Sequence, residues 1–364
     1  MSKVFKVGIV GCGGIANGKH LPSLKKMREE GRVELVYFCD IIPERAEKAA
    51  KEYGAEGAKV TTDYKELVAC KELDVVHVCT PNRSHCEISC AAMKAGKDVM
   101  CEKPMAINAA EAKEMVETAK ETGRTLSIGY QSRYRADSRY VKDEAESGFF
   151  GDIYYARAYA IRRRAVPTWG VFLNEYEQGG GPLIDIGTHS LDLTLWTMNN
   201  YKPKYCVGTT YHKLNKQTNT GNIWGDWNPD EFKVEDSAFG FIVMEDGATI
   251  VLESSWALNT HESVEASFAV CGTEGGADMR GGLKLNTIRH GKQVNIEPQL
   301  GGKGVAFFDG KKEKPAEVEA RQFYEALENG TTPCVTPEQA YVVSQILEGI
   351  YISAKTGEPY YFDK

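Results

Sequence analysis

Several features that would place this sequence in a special class are absent from it. No apolar segment approaches the roughly 20 residues that a membrane-spanning helix needs. There is no long basic run, and the net charge of -7 argues against nucleic acid or an anionic membrane as a partner. The first residues, MSKVFKVGIVGCGG, lack the longer apolar core and cleavage site of a signal peptide. We therefore expect a cytoplasmic protein. The sequence shows no internal repeat and no low-complexity segment.

The 10 cysteines contain no CxxC pair, which removes support for a zinc ribbon or a thioredoxin-like motif. Cys86 and Cys90 are four residues apart in a predicted helix, but no second pair completes a tetrahedral metal site. Reduced and mostly buried thiols, as in a cytoplasmic protein, are the simplest expectation.

The chain has 364 residues, enough for about two domains of ordinary size. Residues 1–130 alternate short apolar, β-branched runs with helix-like segments such as PERAEKAAKEYG. Such a βαβ series predicts a mostly parallel, doubly wound sheet of the α/β class. Hydrophobic residues make up 42 % of the chain and charged residues 26 %, and both fractions are ordinary for a globular protein.

Residues 131–364 have a different pattern, in which DIYYARAYAI and similar runs alternate apolar and polar residues. Asp246-Gly247 in MEDGAT indicates a hairpin turn between two such strands. We predict a second domain with an open, predominantly antiparallel sheet. An open face of this kind commonly forms the interface of a homo-oligomer, and two amphipathic helices near the end of the chain should pack on the core.

A glycine-rich G-x-G-x-x-A motif follows the first predicted strand by one residue and opens a helix. In this position the glycines allow a tight turn and a close approach to a pyrophosphate, and the helix N-terminus attracts the anion. The residues of the motif that we predict to bind a dinucleotide are Gly11, Gly13, Gly14 and Ile15.

An acid, Asp40, ends the second predicted strand, 29 residues after Gly11. A carboxylate there accepts hydrogen bonds from the ribose hydroxyls and repels a 2′-phosphate, which favours NAD. Arg45 leaves NADP open, because a nearby arginine can receive the extra phosphate.

Polar residues also follow the fourth predicted strand, at the sheet edge where ligands bind in open α/β folds. Thr80, Asn82 and His85 are candidates to contact the cofactor. The alternative is a plain turn in which Asn82 or Ser84 caps the next helix and His85 is a structural residue of its first turn.

The segments GCGGIA, TPNRSH, CEKP and GGGPLIDIGTHSLDL occur together in this order. In this combination the chain resembles the glucose–fructose oxidoreductase, inositol dehydrogenase and rhizopine catabolism family, Gfo/Idh/MocA, over nearly its whole length. The resemblance implies a Rossmann domain, a second α/β domain and pyranose or cyclitol substrates. It also implies that Lys103, Asp185 and His189 are catalytic and that Glu102 contacts the nicotinamide ribose. Gln131, which follows the last strand of the Rossmann domain, is expected to face the active-site cleft and to bind the cofactor.

The residues themselves agree with this implication. Lys103 stands at the end of a buried strand and before Pro104, which can fix the turn through a cis bond. Asp185 and His189 are four apart, on one face of a helix, and an imidazole is suited to proton transfer near neutral pH. The alternatives are an ion pair between Lys103 and Glu102 on a surface turn, and a capping acid with a buried histidine.

A metal site is the less favoured interpretation of the same helix. Asp185, His189 and Asp192 could act as ligands, but no further motif adds to them, so we predict no metal.

For the substrate, arginine and tryptophan residues are the strongest candidates, since aromatic rings stack on sugars and arginine binds anionic groups. The segment IRRRAVPTWGVF contributes Arg163 and Trp169, and NIWGDWNPD contributes Trp224 and Trp227. Ordinary packing of the tryptophans and a solvated arginine strand are the alternatives. The predicted substrate-binding residues are Lys103, Arg133, Arg163, Trp169, Asp185 and His189.

These observations predict an NAD-dependent dehydrogenase that acts on a secondary alcohol of a sugar, glycoside or cyclitol. The RRRAVPTWGVF and WGDWNP segments further resemble family members linked to oxidation of glucosides in gut bacteria, often at C3. An alternative is an NAD-dependent glycoside hydrolase that works by oxidation, elimination, hydration and reduction, with Tyr130, Tyr159 or His212 as an added acid or base. A non-catalytic sensor is a third possibility, disfavoured by the intact catalytic set.

Overall fold

The structure is a computed structural model that describes residues 3–300 and 313–362. The chain divides into two compact units, Met1–Gln131 with Glu313–Tyr341, and Ser132–Lys312 with Val342–Lys364. Residues 301–312 of the predicted second domain lie outside the described residues. We describe each unit separately.

The strands and helices alternate regularly in the first third of the chain and less regularly after it. The strands are β1 (Phe5–Val10), β2 (Val33–Cys39), β3 (Lys59–Thr61), β4 (Val75–Val78), β5 (Asp98–Cys101), β6 (Leu126–Ile128), β7 (Ile153–Ile161), β8 (Pro203–Tyr211), β9 (Ser237–Met244), β10 (Thr249–Ser255), β11 (Val264–Gly272), β12 (Gly275–Asp278), β13 (Lys284–Arg289), β14 (Lys292–Ile296) and β15 (Tyr360–Tyr361). The α-helices are α1 (Leu21–Glu29), α2 (Pro43–Tyr53), α3 (Tyr64–Ala69), α4 (His85–Lys94), α5 (Ala109–Thr122), α6 (Ala136–Glu146), α7 (Glu175–Gln178), α8 (Thr188–Met198), α9 (Pro315–Asn329) and α10 (Pro337–Thr356).

The described part of the first unit contains a six-stranded sheet in the order β3-β2-β1-β4-β5-β6. All of its neighbouring strands are parallel. This is the strand order of a dinucleotide-binding fold, with the order reversing between β1 and β4. The predicted doubly wound sheet is confirmed.

Local sequence signals set the helix ends in this unit. The side chain of Asn108 accepts a hydrogen bond from the backbone N–H of Glu111 (2.8 Å) and caps α5. Gly123, at φ +63°, ends the same helix in the left-handed conformation that glycine adopts readily. These two residues explain why NAAEAKEMVETAKETG forms one helix.

Helix α9 belongs to the first unit, although the predicted boundary assigned it to the second domain. Its residues Ala320, Phe323 and Tyr324 join the hydrophobic core around Phe5 of β1 and Leu24 of α1. The placement of α9 in the first unit depends on contacts between residues about 300 positions apart. No local pattern in the sequence reveals such contacts.

In the described residues, the second unit contains a nine-stranded sheet in the order β14-β13-β12-β11-β7-β10-β9-β8-β15. The pair β7–β10 is parallel and the other pairs are antiparallel, so the sheet is predominantly antiparallel, as predicted. The hairpin between β9 and β10 turns at Gly247 (φ +88°), where Asp246 accepts a hydrogen bond from the Ala248 N–H. Helix α8 packs on one face of this sheet, against β7 and β11.

Across residues 3–300 and 313–362, we find no helix that combines the length and the apolar character needed to cross a bilayer.

Candidate active site

The glycine loop of the first unit has the shape that a pyrophosphate requires. Gly11 has φ +89°, and a Cβ atom there would lie 2.5 Å from the carbonyl oxygen of Cys79. At Gly13 and Gly14 a Cβ atom would meet nothing within 4 Å, so the loop borders open space. A π-helical turn, Ala16–His20, then leads into α1. The loop therefore fits a bound dinucleotide.

Asp40 is brought directly beside this loop. Its Oδ2 accepts a hydrogen bond from the backbone N–H of Cys12 (2.8 Å), and its Oδ1 accepts one from Ile42 N–H (2.9 Å). The carboxylate is thus fixed, and each oxygen retains a lone pair for a ribose hydroxyl. Arg45 is exposed in the first turn of α2, and no side-chain partner contacts it within the described residues.

Thr80 and Asn82 lie at the carboxyl end of β4, as predicted. The hydroxyl of Thr80 is buried and has no hydrogen-bond partner among the residues described. A buried hydroxyl of this kind is costly unless something bonds to it, and a ligand hydroxyl would do so. Asn82 is also buried, in the short 3₁₀ helix Asn82–Ser84.

His85 requires a correction, because the structure removes it from the set of cofactor ligands. Its Nδ1 lies 2.8 Å from the carbonyl oxygen of Pro104, and its Nε2 lies 2.9 Å from that of Thr80. The ring is fully buried. His85 therefore braces the segments that follow β4 and β5, which agrees with the alternative of a structural first-turn residue.

Glu102 lies in a buried charged cluster that the sequence did not predict. Its Oε1 accepts hydrogen bonds from Lys19 Nζ (2.7 Å) and His20 Nε2 (2.7 Å). Burial alone would raise the pKa of Glu102, but the charges and hydrogen bonds of Lys19 and His20 hold it well below its usual range. Burial alone would likewise lower the pKa of Lys19, and Glu102 and Glu319 raise it instead.

A chain of hydrogen bonds extends this cluster into the core of the first unit. His20 Nδ1 lies 2.9 Å from His77 Nδ1, and His77 Nε2 lies 2.9 Å from the hydroxyl of Tyr324. Burial, together with the nearby His20 and Lys19, lowers the pKa of His77 well below its usual value. With His77 neutral, Tyr324 donates to His77, His77 to His20, and His20 to Glu102, so that each polar atom is satisfied.

Lys103 follows Glu102 immediately, half-buried at the carboxyl end of β5. Its backbone N–H donates to the Oε2 of Glu102 (3.2 Å), and the Lys103–Pro104 peptide bond is cis, as the sequence suggested. Because Glu102 is paired with Lys19 and His20, the cluster leaves its second oxygen facing the Lys103 backbone.

In the second unit, Asp185 and His189 lie on adjacent turns. A π-helical turn, Leu183–Gly187, contains Asp185, and α8 continues from it and contains His189. The Oδ2 of Asp185 accepts a hydrogen bond from Trp256 Nε1 (3.0 Å). Such π-turns are rare and are found frequently at functional sites.

Glu235 holds the glycine run that precedes Asp185. Its Oε2 accepts from the Gly181 N–H (2.8 Å), and its Oε1 accepts from the Leu183 N–H (3.1 Å) and the Tyr351 hydroxyl (2.8 Å). A Cβ atom at Gly181 would lie 2.3 Å from the Glu235 carbonyl oxygen, so only glycine fits. Burial raises the pKa of Glu235 to about 7, against the opposing effect of these hydrogen bonds.

Arg133 also requires a correction, since the structure does not present it to a substrate. Its side chain is completely buried, with Nε 2.9 Å and Nη2 2.5 Å from the two carboxylate oxygens of Asp192. Its guanidinium lies over the ring of Trp196. The same ion pair occupies Asp192, which removes that residue from the alternative metal site with Asp185 and His189.

The remaining substrate candidates fall into exposed and buried groups. Arg163 and Trp169 are exposed, as is Trp224. Trp227, by contrast, is a core residue whose Nε1 donates to the carbonyl oxygen of Asn215 (2.9 Å), so the packing alternative applies to it. Of the residues considered for a hydrolase, Tyr130 and Tyr159 are buried and His212 is exposed, while Gln131 is partly exposed in a short 3₁₀ helix.

One further group of possible metal ligands occurs among the described residues. The Sγ atoms of Cys86 and Cys90 are 4.0 Å apart, and Cys86 Sγ lies 3.7 Å from Glu114 Oε2. Three groups do not complete a closed tetrahedral site.

The sequence reasoning missed the residues that support the predicted catalytic segments: Lys19, His20, Glu235, Trp256 and Tyr351. The positions of Lys19 and His20 could have indicated a role near the cofactor, since both lie in the helical turn Ala16–His20 that directly follows the glycine motif. Glu235 carried no such signal, because its partners are 52 to 116 residues away.

Comparisons with known proteins agree with this geometry. Residues 5–130 match the model of the Gfo/Idh/MocA oxidoreductase family, NAD-binding Rossmann fold, and residues 138–278 match its C-terminal domain. The chain is 33 % identical to D-glucoside 3-dehydrogenase of Escherichia coli (strain K12), over 98 % of this chain and 97 % of that protein. It is 26 % identical to scyllo-inositol 2-dehydrogenase (NAD(+)) of Bacillus subtilis (strain 168), over 91 % of this chain and 89 % of that protein.

Among solved structures, levoglucosan dehydrogenase in complex with NADH and levoglucosan superposes with a TM-score of 0.82 at 21 % identity, over all of both chains, which shows the shared fold. The predicted class of enzyme, an NAD-dependent dehydrogenase, is confirmed. The chain therefore belongs to the Gfo/Idh/MocA family of oxidoreductases and binds NAD through its Rossmann domain.

Proposed function

We propose that this chain oxidises the hydroxyl group at carbon 3 of a D-glucoside and passes the hydride to NAD. The observation that carries the proposal is the end-to-end similarity to D-glucoside 3-dehydrogenase, in a chain that has Lys103, Asp185 and His189 at the positions of the family motifs. Both units of the chain take part in that similarity, which spans 356 residues.

Lys103, Asp185 and His189 are the catalytic residues in this proposal. His189 accepts the proton of the reacting hydroxyl, which is the usual role of an imidazole near neutral pH. Lys103 acts as a hydrogen-bond donor in the reaction, and Asp185, oriented by Trp256, holds the sugar. NAD supplies the hydride acceptor when it is bound.

The cofactor residues keep their predicted roles, except for His85. The loop of Gly11, Gly13, Gly14 and Ile15 receives the pyrophosphate, and Asp40 receives the ribose hydroxyls. Thr80, Asn82, Glu102 and Gln131 contact the ribose and nicotinamide part of the cofactor. Support comes from the open space at the glycines and from the unsatisfied hydroxyl of Thr80.

The test is NADH formation, followed by absorbance, from NAD and phenyl β-D-glucoside. We expect Lys103→Ala and His189→Ala to lower kcat by about 100-fold or more, as the loss of a general acid or base does. Lys48→Ala and His290→Asn change exposed residues of the two units and serve as matched controls. Full turnover in the first two variants would refute the assignment. Release of phenol without accumulation of NADH would favour the hydrolase instead.

We also propose that the protein is a cytoplasmic homo-oligomer that associates through the open face of the second sheet. Val207, Phe241 and Val251 are paired across β8, β9 and β10, and Val207 and Phe241 are exposed. Light scattering should give a mass above that of the 40.3 kDa chain. Phe241→Glu should reduce that mass to the monomer value, and an unchanged mass would contradict this interface.

A further inference from the structure

A cavity of about 680 Å³ lies in the second unit, after the end of β7. Three consecutive arginines, Arg162, Arg163 and Arg164, form one part of its lining. Ile223 and Trp224, from the connection between β8 and β9, form another. The cavity thus combines cationic and apolar groups.

The positive charges in this cavity are not balanced. Arg162 is paired with Glu265, which lies 2.6 Å from both its Nε and its Nη2. In the part of the chain that the structure describes, the hydrogen-bond partners of Arg164 are neutral oxygens, those of Thr220 (3.1 Å), Arg163 (2.8 Å) and Asn259 (2.7 Å).

Arg163 contributes a second uncompensated charge. Its side chain is exposed and has no partner among the residues that the structure describes. Among the described residues that line the cavity, Glu265 is the single acid. Asp226, whose carboxylate accepts a hydrogen bond from Thr220, does not belong to the lining. Two guanidinium groups therefore remain to attract an anion.

The apolar part of the cavity is unusually open to solvent. Ile223 is 70 % exposed and Trp224 is 42 % exposed. Trp169, which is 51 % exposed, packs edge to face on Trp224 with 4.9 Å between ring centroids. The guanidinium of Arg162 covers the ring of Trp224 at 5.3 Å. Large exposed apolar side chains beside cations suit a flat, apolar ligand that carries a negative charge.

A row of aromatic rings connects this cavity with Asp185. Trp169 contacts Phe172 (5.9 Å between centroids), and Phe172 contacts Trp256 (6.4 Å). Trp256 donates its indole N–H to Asp185. The charge of Asp185 also acts on Arg162: burial alone would lower the pKa of Arg162, but Glu265 and Asp185 raise it.

We propose that this cavity binds the aglycone of the glycoside and selects aromatic aglycones that carry a carboxylate or another anionic group. The proposal rests on the proposed function, because an aglycone site has meaning only next to a sugar site. It names the substrate class: aryl glucosides with an acidic group on the ring. Arg163 is the specificity residue and Trp224 the stacking surface.

The first experiment measures binding without the cofactor or a sugar, by isothermal titration calorimetry. The probes are 2-naphthoate and its neutral analogue 2-naphthamide. We expect 2-naphthoate to bind about tenfold more tightly, Arg163→Ala to abolish this difference, and Trp224→Ala to weaken both ligands. Arg289→Ala, which removes an exposed arginine outside the lining, should preserve the difference. Equal affinities of the wild type for the two probes would overturn the proposal.

The second experiment compares the oxidation of 4-carboxyphenyl β-D-glucoside and 4-carbamoylphenyl β-D-glucoside. We expect a KM about tenfold lower for the carboxylate, and Arg163→Ala should raise it to the value of the amide. If Arg163-dependent binding of 2-naphthoate occurs and the two KM values are equal, the cavity binds anions but is not an aglycone site. If no glucoside produces NADH, the proposed function has failed independently of the anion site, and the aglycone role falls with it.

Discussion

Glu102 and Glu235 are two buried carboxylates that support predicted catalytic segments, and the protein stabilises them in opposite ways. Glu102 is bound by two cationic or proton-donating side chains, Lys19 and His20, which hold its pKa well below the usual range. Within the described residues, Glu235 receives backbone N–H groups, among them those of Gly181 and Leu183, and the hydroxyl of Tyr351, but no cation, and burial raises its pKa to about 7.

The two carboxylates differ in how their charge depends on pH. Glu102 keeps its charge at any ordinary pH, so the turn that contains Lys103 rests on a permanent ion pair. Glu235 lacks a cation among its contacts in the described residues, so its charge depends on pH near neutrality. The two carboxylates therefore contribute to stability with opposite pH dependence.

The largest change to this comparison is Lys19→Met. It leaves Glu102 and Glu319 buried without their shared cation, which we expect to lower the free energy of unfolding by about 3–5 kcal/mol. Urea denaturation measures the loss. The control is Lys48→Met, at an exposed position of α2, which should lower the free energy of unfolding by less than about 0.5 kcal/mol. Equal stability of the two variants would show that the buried ion pair is not essential.

Glu235→Gln should remove a pH dependence of stability. A carboxyl whose folded pKa is raised to about 7 stabilises the fold fully below its unfolded pKa, and this contribution disappears as pH rises through about 7. Relative to the variant, the free energy of unfolding of the wild type should fall by about 3 kcal/mol between pH 4 and pH 8, since each pKa unit corresponds to about 1.4 kcal/mol.

Glu102→Gln is the reciprocal control for that measurement. The lowered pKa of Glu102 gives stability that is present above its unfolded pKa and lost as pH falls. The difference between wild type and this variant should therefore shrink toward acidic pH. If the free energy of unfolding changed with pH in the same way in both variants and the wild type, the pKa directions given for Glu102 and Glu235 would be contradicted.

Trp256→Phe should separate the orientation of Asp185 from core packing. The change removes the indole N–H that Asp185 accepts, and we expect kcat to fall about tenfold, equal to about 1.4 kcal/mol. Trp227→Phe changes a buried tryptophan of the same hydrophobic cluster, whose Nε1 bonds to a backbone carbonyl instead. Similar losses of kcat in both variants would mean that packing alone is responsible.

Tyr351→Phe should have the smallest effect. We expect the loss of its one hydrogen bond to Glu235 to lower the free energy of unfolding by about 1 kcal/mol. Because that hydrogen bond lowers the pKa of Glu235, its removal should also move the midpoint of the pH-dependent stability change to higher pH. Tyr341→Phe, a partly buried residue of the same helix, provides the control. An unmoved midpoint would argue against the bond.

Local patterns were sufficient to predict much of the fold and the position of several candidate site residues at the ends of strands. The βαβ alternation predicted the order of elements around β1, and the glycine motif predicted the turn that follows β1, because each depends on neighbouring residues. Arg133 was misassigned for the opposite reason: its partner Asp192 is 59 residues away, and nothing local distinguishes a buried arginine from an exposed one.

The contacts that support the predicted catalytic segments could not be predicted from the sequence for the same physical reason. The pairing of Lys19 with Glu102 spans 83 residues and that of Tyr351 with Glu235 spans 116. A buried lysine or glutamate looks like a surface residue in the sequence, and only the fold shows what surrounds it.

The most direct test of the proposed reaction is the transfer of an isotope from carbon 3 of the sugar. Methyl β-D-glucoside with deuterium on carbon 3 is incubated with the protein and NAD, and the reduced cofactor is analysed by mass spectrometry. We predict that the NADH formed carries the deuterium and that Lys103→Ala and His189→Ala form almost none of it. Unlabelled NADH, or no NADH from any glucoside, would contradict the account.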